Sequence, residues 1–191
     1  VLKYNTLTNY ICSIQKYVDK ELLKSVSELY YPIRLKPHGE NSLENLESSG
    51  VNHIEFRMLD LNPLSPTGII KDDIDFLHML IIYLMSLPNE AFTDYEQITA
   101  VKNIKNAAKY DDENTVIEFL GEELSVSATA LKILCNMEDF FTKCEQTEAI
   151  EIISYQKDKI LNKNKRYAEI IRNKFSHNYV KNGVKLSLTY A

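Results

Sequence analysis

The chain has 191 residues, 45% of them hydrophobic and 26% charged, with five glycines, five prolines and a formal net charge of −5. That length holds one sizeable core, or one domain with a helical extension, and so few turn-formers favour helices over a strand-rich sandwich. The acidic balance argues against a nucleic-acid binder, whose affinity rests on a basic patch.

From the N-terminus, residues 6–24 read as an amphipathic helix. Thr6 stands as its N-cap, and Leu7, Tyr10, Ile11, Ile14, Tyr17 and Val18 recur at three- and four-residue spacing. Residues 29–36 then switch to period two, with Tyr31, Ile33 and Leu35 on one face and Tyr30, Arg34 and Lys36 on the other. Pro32 cannot donate to a ladder, so this strand is expected at an edge or to begin there. A polar connection with a short helical piece near 42–46 leads to a second strand, and antiparallel pairing of the two is the simplest topology. In that strand, residues 51–59, His53, Glu55 and Arg57 share one face while Ile54, Phe56 and Met58 share the other. A glutamate and an arginine two residues apart on a strand face have two readings. One is a surface salt bridge, which is common and weak. The other is a metal-and-phosphate site, where a carboxylate holds a hard cation and a guanidinium faces phosphoryl oxygens.

Asn62-Pro63 and Ser65-Pro66-Thr67-Gly68 end the strand in a structured loop. Residues 72–87 form the clearest helix, with acidic residues at its positive end and Pro88 closing it. Being apolar nearly all round, it is expected in the middle of the core, behind the sheet and opposite Glu55. A helix over 94–110, a small hairpin over 115–126 turning at Gly121, and three helices over 127–143, 147–162 and 164–177 follow. The tail 184–190 alternates like a strand and is equally compatible with a final helix. Cys12, Cys135 and Cys144 are widely spaced, suggest neither a zinc site nor a disulfide framework, and so point to a reducing cytoplasm. No secretion signal is evident, and the apolar run 76–87 is too short to span a bilayer.

The strings ELYYPIRLK (28–36) and HIEFRMLDLNPLSPTGI (53–69), followed by FLHMLIIYLMSL (76–87), resemble the bacterial branch of the glutamate–cysteine ligase family. The family pattern runs Glu-x-x-Tyr-x-Pro-Ile-Arg-x-Lys, a variable loop, then Ile-Glu-Val-Arg-(Ser)-Leu-Asp-x-Asn-Pro-Phe. Phe56, Met58 and Leu64 depart from it, the first and last while keeping an apolar type. The resemblance covers about residues 6–90. It implies an α+β fold: a remnant of an antiparallel sheet, with strands near 29–36 and 51–59, helices covering one face, and a glutamine synthetase-like parent. It implies ATP-dependent ligation of L-glutamate to L-cysteine through γ-glutamyl phosphate, the first step of glutathione biosynthesis, with Mg2+. By resemblance Glu55 is a magnesium ligand, Arg57 the catalytic contact to the transferred phosphoryl group, and Tyr30 part of the cysteine pocket. Arg34 contacts phosphate or balances Glu55.

Since the chain starts at Val1 and the motifs fall near its beginning, it is expected to be a C-terminal fragment of a larger ligase. Residues 1–90 would be its sheet and active-site half and 91–191 a helical extension. The family's other metal-binding carboxylates belong to an N-terminal part, so the fragment is expected to be inactive alone and to self-associate through its strands. Whether the parent is fused to a glutathione synthetase module is left open. No membrane or nucleic-acid partner is expected. Arg172 and His177 also fit the Arg-Asn-x-x-x-His pattern of HEPN-type helical ribonucleases, and a non-catalytic interaction domain is a third reading.

Overall fold

The Thr6 hydroxyl accepts a hydrogen bond from the Asn9 N–H (3.0 Å) and starts helix α1 (Leu7–Asp19) in the computed structural model, which describes residues 2–109 and 111–190. The helix ends short of residue 24 because Glu21 takes a left-handed φ of 56°. Strand β1 (Ile33–Lys36) follows a single 3-10 turn at Val26–Glu28, and so begins just after Pro32. Ser42 caps α2 (Leu43–Ser49) by accepting from Asn45 N–H at 3.1 Å, and β2 (His53–Phe56) pairs antiparallel with β1. The remaining elements are α3 (Lys71–Ser86), α4 (Asp94–Ala107), β3 (Val116–Phe119), β4 (Glu122–Ser125), α5 (Val126–Lys143), α6 (Thr147–Leu161), α7 (Tyr167–Lys174) and α8 (Tyr179–Tyr190). The result is mostly helical with two small antiparallel sheets, which is α+β. The two long strands expected are thus four residues each. Tyr110, the expected last residue of the fourth helix, lies outside the described residues.

Two compact units make up the chain. One runs up to Asp60 and includes Asn89–Lys105; the other takes Leu61–Pro88 and the residues from Asn106 onward. This division differs from a cut at residue 90, since α3 groups with the C-terminal helices and most of α4 with the strand pair β1–β2.

In the first unit, Tyr10, Ile11 and Ile14 of α1 bury against Leu2, Leu29, Leu43 and Leu46, and Tyr31 and Leu35 join this core from the β1 side. Helices α1 and α2 therefore supply the cover of the strand pair. In the second unit, Leu134, Met137 and Phe141 of α5 meet Ala149 and Ile153 of α6, and α3 adds Phe76, Met79, Leu80 and Tyr83. The expectation that α3 lies in the middle of a core is overturned: none of its residues is fully buried, and Ile74, Leu84 and Met85 are exposed. A helix can be apolar all round and still spend only one stripe on its neighbours.

The hairpin β3–β4 turns on Leu120 (φ 51°) and Gly121 (φ 76°), two consecutive left-handed residues, which is the twist-matched geometry of a two-residue hairpin. The tail resolves as helix rather than strand, and the Tyr190 hydroxyl donates to the Pro63 carbonyl at 3.3 Å. The loop after residue 61 is knit by Asn62, whose N–H donates to Gly68 O (2.7 Å) and whose Oδ1 accepts from Leu64 N–H (3.0 Å). Gly68 sits at φ 74°, and a Cβ there would fall 2.3 Å from Leu61 Cδ1. Leu61 is exposed and its methyl can swing aside, so backbone strain sets the cost. Gly68→Ala is expected to destabilise by about 1–2 kcal/mol, read from the urea midpoint; an unchanged midpoint contradicts the strain.

Burial raises the pKa of Tyr4, Tyr10, Tyr31 and Tyr167 above the usual value of 10.0. A phenol whose folded pKa exceeds its unfolded one contributes stability that is complete below the unfolded value and is lost as pH rises toward the folded value. Stability should thus stay level on this account up to about pH 10 and decline above it. Phenolate absorbance is expected to show these four tyrosines ionising after the exposed ones, together with loss of helix signal. A single reversible step near pH 10 for all twelve tyrosines, with helices intact, contradicts this.

Candidate active site

The register of the first strand pair sets Arg34 directly opposite Glu55 and Lys36 opposite His53. The ladder continues past the strand ends: Arg57 N–H donates to Pro32 O and Asn52 N–H to Lys36 O, both at 2.9 Å. Pro32 serves here only as an acceptor, so its missing N–H costs nothing. With side chains alternating, Arg34, Lys36, His53, Glu55 and Arg57 share one face.

On that face three cations converge on one carboxylate. Glu55 Oε2 lies 3.6 Å from Arg34 Nε and 3.5 Å from Lys36 Nζ, and Oε1 lies 3.8 Å from Arg57 Nε. These separations are ion pairs but too long for hydrogen bonds. Glu55 Oε2 is accordingly buried with no hydrogen-bond partner. The carboxylate is electrostatically held yet keeps a free lone pair, and the cluster carries a net +2 (three cations less one anion). Arg34 is buried, only 7% exposed. Behind it the Leu35 N–H reaches the hydroxyl of buried Tyr10 at 3.5 Å. Burial raises the Tyr10 pKa, with Arg34 pulling it down and Glu55 pushing it up, so that phenol senses both charges.

Tyr30 is 79% exposed and stacks under Arg57, whose guanidinium carbon stands 4.7 Å from the ring centroid. This is a cation–π contact, worth about 0.5–1 kcal/mol at an exposed site. The structure therefore brings together all four expected site residues, Tyr30, Arg34, Glu55 and Arg57. It adds two that were given no role, Lys36 and Tyr10. Lys36 was detectable as the residue two beyond Arg34 on the same strand face; Tyr10 lies in the α1 stripe and nothing in its spacing sets it apart.

Chemically, a +2 cluster with two guanidinium groups and an ammonium suits a polyphosphate or an acyl phosphate. The unpartnered Glu55 oxygen suits a hard cation, and the surrounding positive charge favours one that arrives with phosphate oxygens attached. Among the described residues no group of three or more His, Cys, Asp or Glu side chains lies within reach of one ion. The donor set here thus fits Mg2+ as one oxygen of a shell completed by other donors.

Elsewhere the other motif is less convergent. Arg172 lies in α7 and pairs with Glu169 at 3.1 Å, while His177 falls beyond the last residue of that helix. His53 is exposed beside Asn52, and all three cysteines are free and exposed. Among the described residues no helix is long and apolar enough to cross a membrane.

A family model described as glutamate–cysteine ligase matches residues 2–107, slightly over half of the chain. The bifunctional glutathione biosynthesis protein of Listeria monocytogenes is 32% identical over 173 residues, covering 88% of this chain and 22% of that protein. The chain thus spans about a fifth of the length of the curated relatives it matches. The crystal structure of the glutamate–cysteine ligase of Francisella tularensis in complex with AMP superposes with a TM-score of 0.89 at 19% identity. It covers 99% of this chain and 44% of that one. A bifunctional glutathione synthetase from Pasteurella multocida superposes with a TM-score of 0.78 at 17% identity, covering 100% and 24%. At these identities the two structures speak for the fold.

Proposed function

Since the chain belongs to the glutamate–cysteine ligase family, we propose that it is part of an ATP-dependent carboxylate–amine ligase, acting in the cytoplasm on L-glutamate, L-cysteine and ATP in glutathione biosynthesis. The observation that carries this is the convergence of Arg34, Lys36 and Arg57 on Glu55 within the strand pair that bears the motifs. In the reaction the γ-carboxylate of glutamate attacks the γ-phosphorus of ATP and ADP leaves. The cysteine amine then attacks the acyl carbon, phosphate departs, and the amine proton is lost to give the amide. Both steps load negative charge on phosphoryl oxygens, and fixed positive charge that needs no rearrangement stabilises such loading best.

Arg57, pinned by the Tyr30 ring, is assigned to the transferred phosphoryl group, and Tyr30 with its exposed ring to the cysteine subsite. Arg34, buried and paired, keeps the Glu55 carboxylate oriented, and its second role is to add to the potential felt by phosphate. Glu55 is assigned as one ligand of a magnesium ion, which when bound neutralises triphosphate charge. The remaining metal ligands and the glutamate site are assigned to the rest of the protein, so the 191-residue chain alone should not ligate.

The test compares the full-length protein with the 191-residue chain for ATP- and glutamate-dependent phosphate release and for γ-glutamylcysteine. Activity only in the full-length protein is expected. Ligation by the 191-residue chain overturns the division of the site, and no activity in either overturns the reading.

A further inference from the structure

The two outer edges of the strand pair β1–β2 differ. The bond from Arg57 N–H to Pro32 O fixes the phase of the ladder, in which Arg34 and Glu55 turn their backbone groups toward each other. Ile33 and Leu35 of β1, and Ile54 and Phe56 of β2, therefore turn theirs outward. Along β1 the outward groups meet tyrosines. The Tyr4 hydroxyl donates to Ile33 O and the Tyr10 hydroxyl accepts from Leu35 N–H, each at 3.5 Å, with the two rings 5.2 Å apart. Along β2 the outward groups of Ile54 and Phe56 meet no described partner, nor do those of Met58 just beyond. The side chains there are uncovered too. No β2 residue joins the buried core of this unit, and Ile54 and Met58 are 46% and 48% exposed. An open edge with exposed apolar side chains is a template for another strand.

The sequence of that edge is complementary to itself. Residues 54–58 read Ile-Glu-Phe-Arg-Met. Turned about a two-fold axis at Phe56, they set Ile54 opposite Met58, Phe56 opposite Phe56, and Glu55 opposite Arg57. Apolar pairs then fill one face and opposite charges pair on the other, each favourable between antiparallel strands. The residues whose backbone groups point outward also meet one another in this register. An axis at Glu55 would oppose two glutamates, which is destabilising, and a slip by one residue would turn the backbone groups apart. Arg34 and Lys36 stand one strand further from the seam, about 4.8 Å beyond β2. We propose that the open edge of β2 pairs with the same edge of a second copy of this chain, antiparallel about Phe56, setting Arg57 of each copy against Glu55 of the other. Because Tyr4 and Tyr10 cover the β1 edges of the resulting four-stranded sheet, assembly stops at two copies.

The proposal does not rest on the ligase reading, and sedimentation equilibrium of the 191-residue chain tests it. A monomer–dimer equilibrium without larger species is expected. Phe56→Pro removes an N–H that faces the seam and takes none from the bonds to β1. It should weaken the dimer at least about tenfold, the scale of two lost hydrogen bonds. Arg57→Glu and Glu55→Lys should each self-associate poorly, because like charges then stand opposed. Mixed one to one they should pair, since each variant meets the opposite sign. Helix content is checked by circular dichroism. Should Glu55→Lys lose it, Glu55→Gln takes its place, and that mixture should still associate more tightly than Arg57→Glu alone. A chain still monomeric at about 1 mM overturns the proposal and leaves the edge to the rest of a longer protein. Growth beyond two copies, a dimer untouched by Phe56→Pro, or variants that fail to pair when mixed overturn it as well.

Discussion

Glu55→Gln in the full-length enzyme is expected to lower the rate of ligation by about two to three orders of magnitude, the scale of losing one organised electrostatic contact to a developing charge. Glutamine keeps the shape and one oxygen but removes the charge on which three cations converge. Without it Arg34, buried at 7% exposure, loses its ion-pair partner. Removing one member of a fully buried pair costs about 3–5 kcal/mol. Glu55 is partly open to water, so roughly 1–2 kcal/mol is the better expectation. Melting and turnover measured on one preparation separate the two effects. A rate that falls while most of the protein remains folded, and that excess magnesium does not restore, fits a ligand role. Near-normal phosphate release by the glutamine variant rejects the assignment.

Arg57→Lys should reduce kcat and kcat/KM together, by about one to two orders of magnitude, with little change in KM for ATP. The guanidinium offers two parallel donors in one plane, and its carbon stands 4.7 Å from the centroid of the Tyr30 ring. A lysine ammonium has neither the fork nor the flat face. Loss confined to the transition state is what lowers the two constants equally. Tyr30→Leu supplies a graded companion: it frees the guanidinium without removing it and should cost less than the lysine exchange. If instead the KM for ATP rises alone in Arg57→Lys, the arginine serves ground-state binding and its proposed role fails.

Much of the local structure was legible because it depends on neighbours in sequence. Thr6 caps the helix that its position announces, and period-two alternation put Glu55 with Arg57 on one strand face and Arg34 with Lys36 on the other strand's, leaving to the register only which of these stand opposite. Strand lengths were not legible: Tyr30 and Tyr31 alternate like strand residues, yet they follow a 3-10 turn and lie outside the ladder. Periodicity reports which way side chains alternate, and pairing reports where hydrogen bonds find partners; the two part company at a proline. The destination of α3 was equally hidden. Its composition says that it needs apolar neighbours, and nothing local says that these come from α5 and α6. Lys36 was visible as a same-face residue, but its part in the cluster needed the position of the Glu55 carboxylate.

That placement of α3 has a consequence for how the chain is made. Its sequence is finished at residue 86, but α6, which it packs against, ends at residue 161, so 161 − 86 = 75 further residues must emerge before its apolar stripe is covered. At the usual elongation speed of roughly 5–20 residues per second this is a wait of about 4–15 s. The strand pair has no such delay, since both its strands are complete by residue 56. The nascent protein therefore passes through an interval in which the site-bearing strands have been synthesised while a sixteen-residue greasy helix stands uncovered. Over that interval the apolar stripe of α3 is open to the same stripe on neighbouring chains of the polysome, so crowding of ribosomes on one message favours contacts between copies.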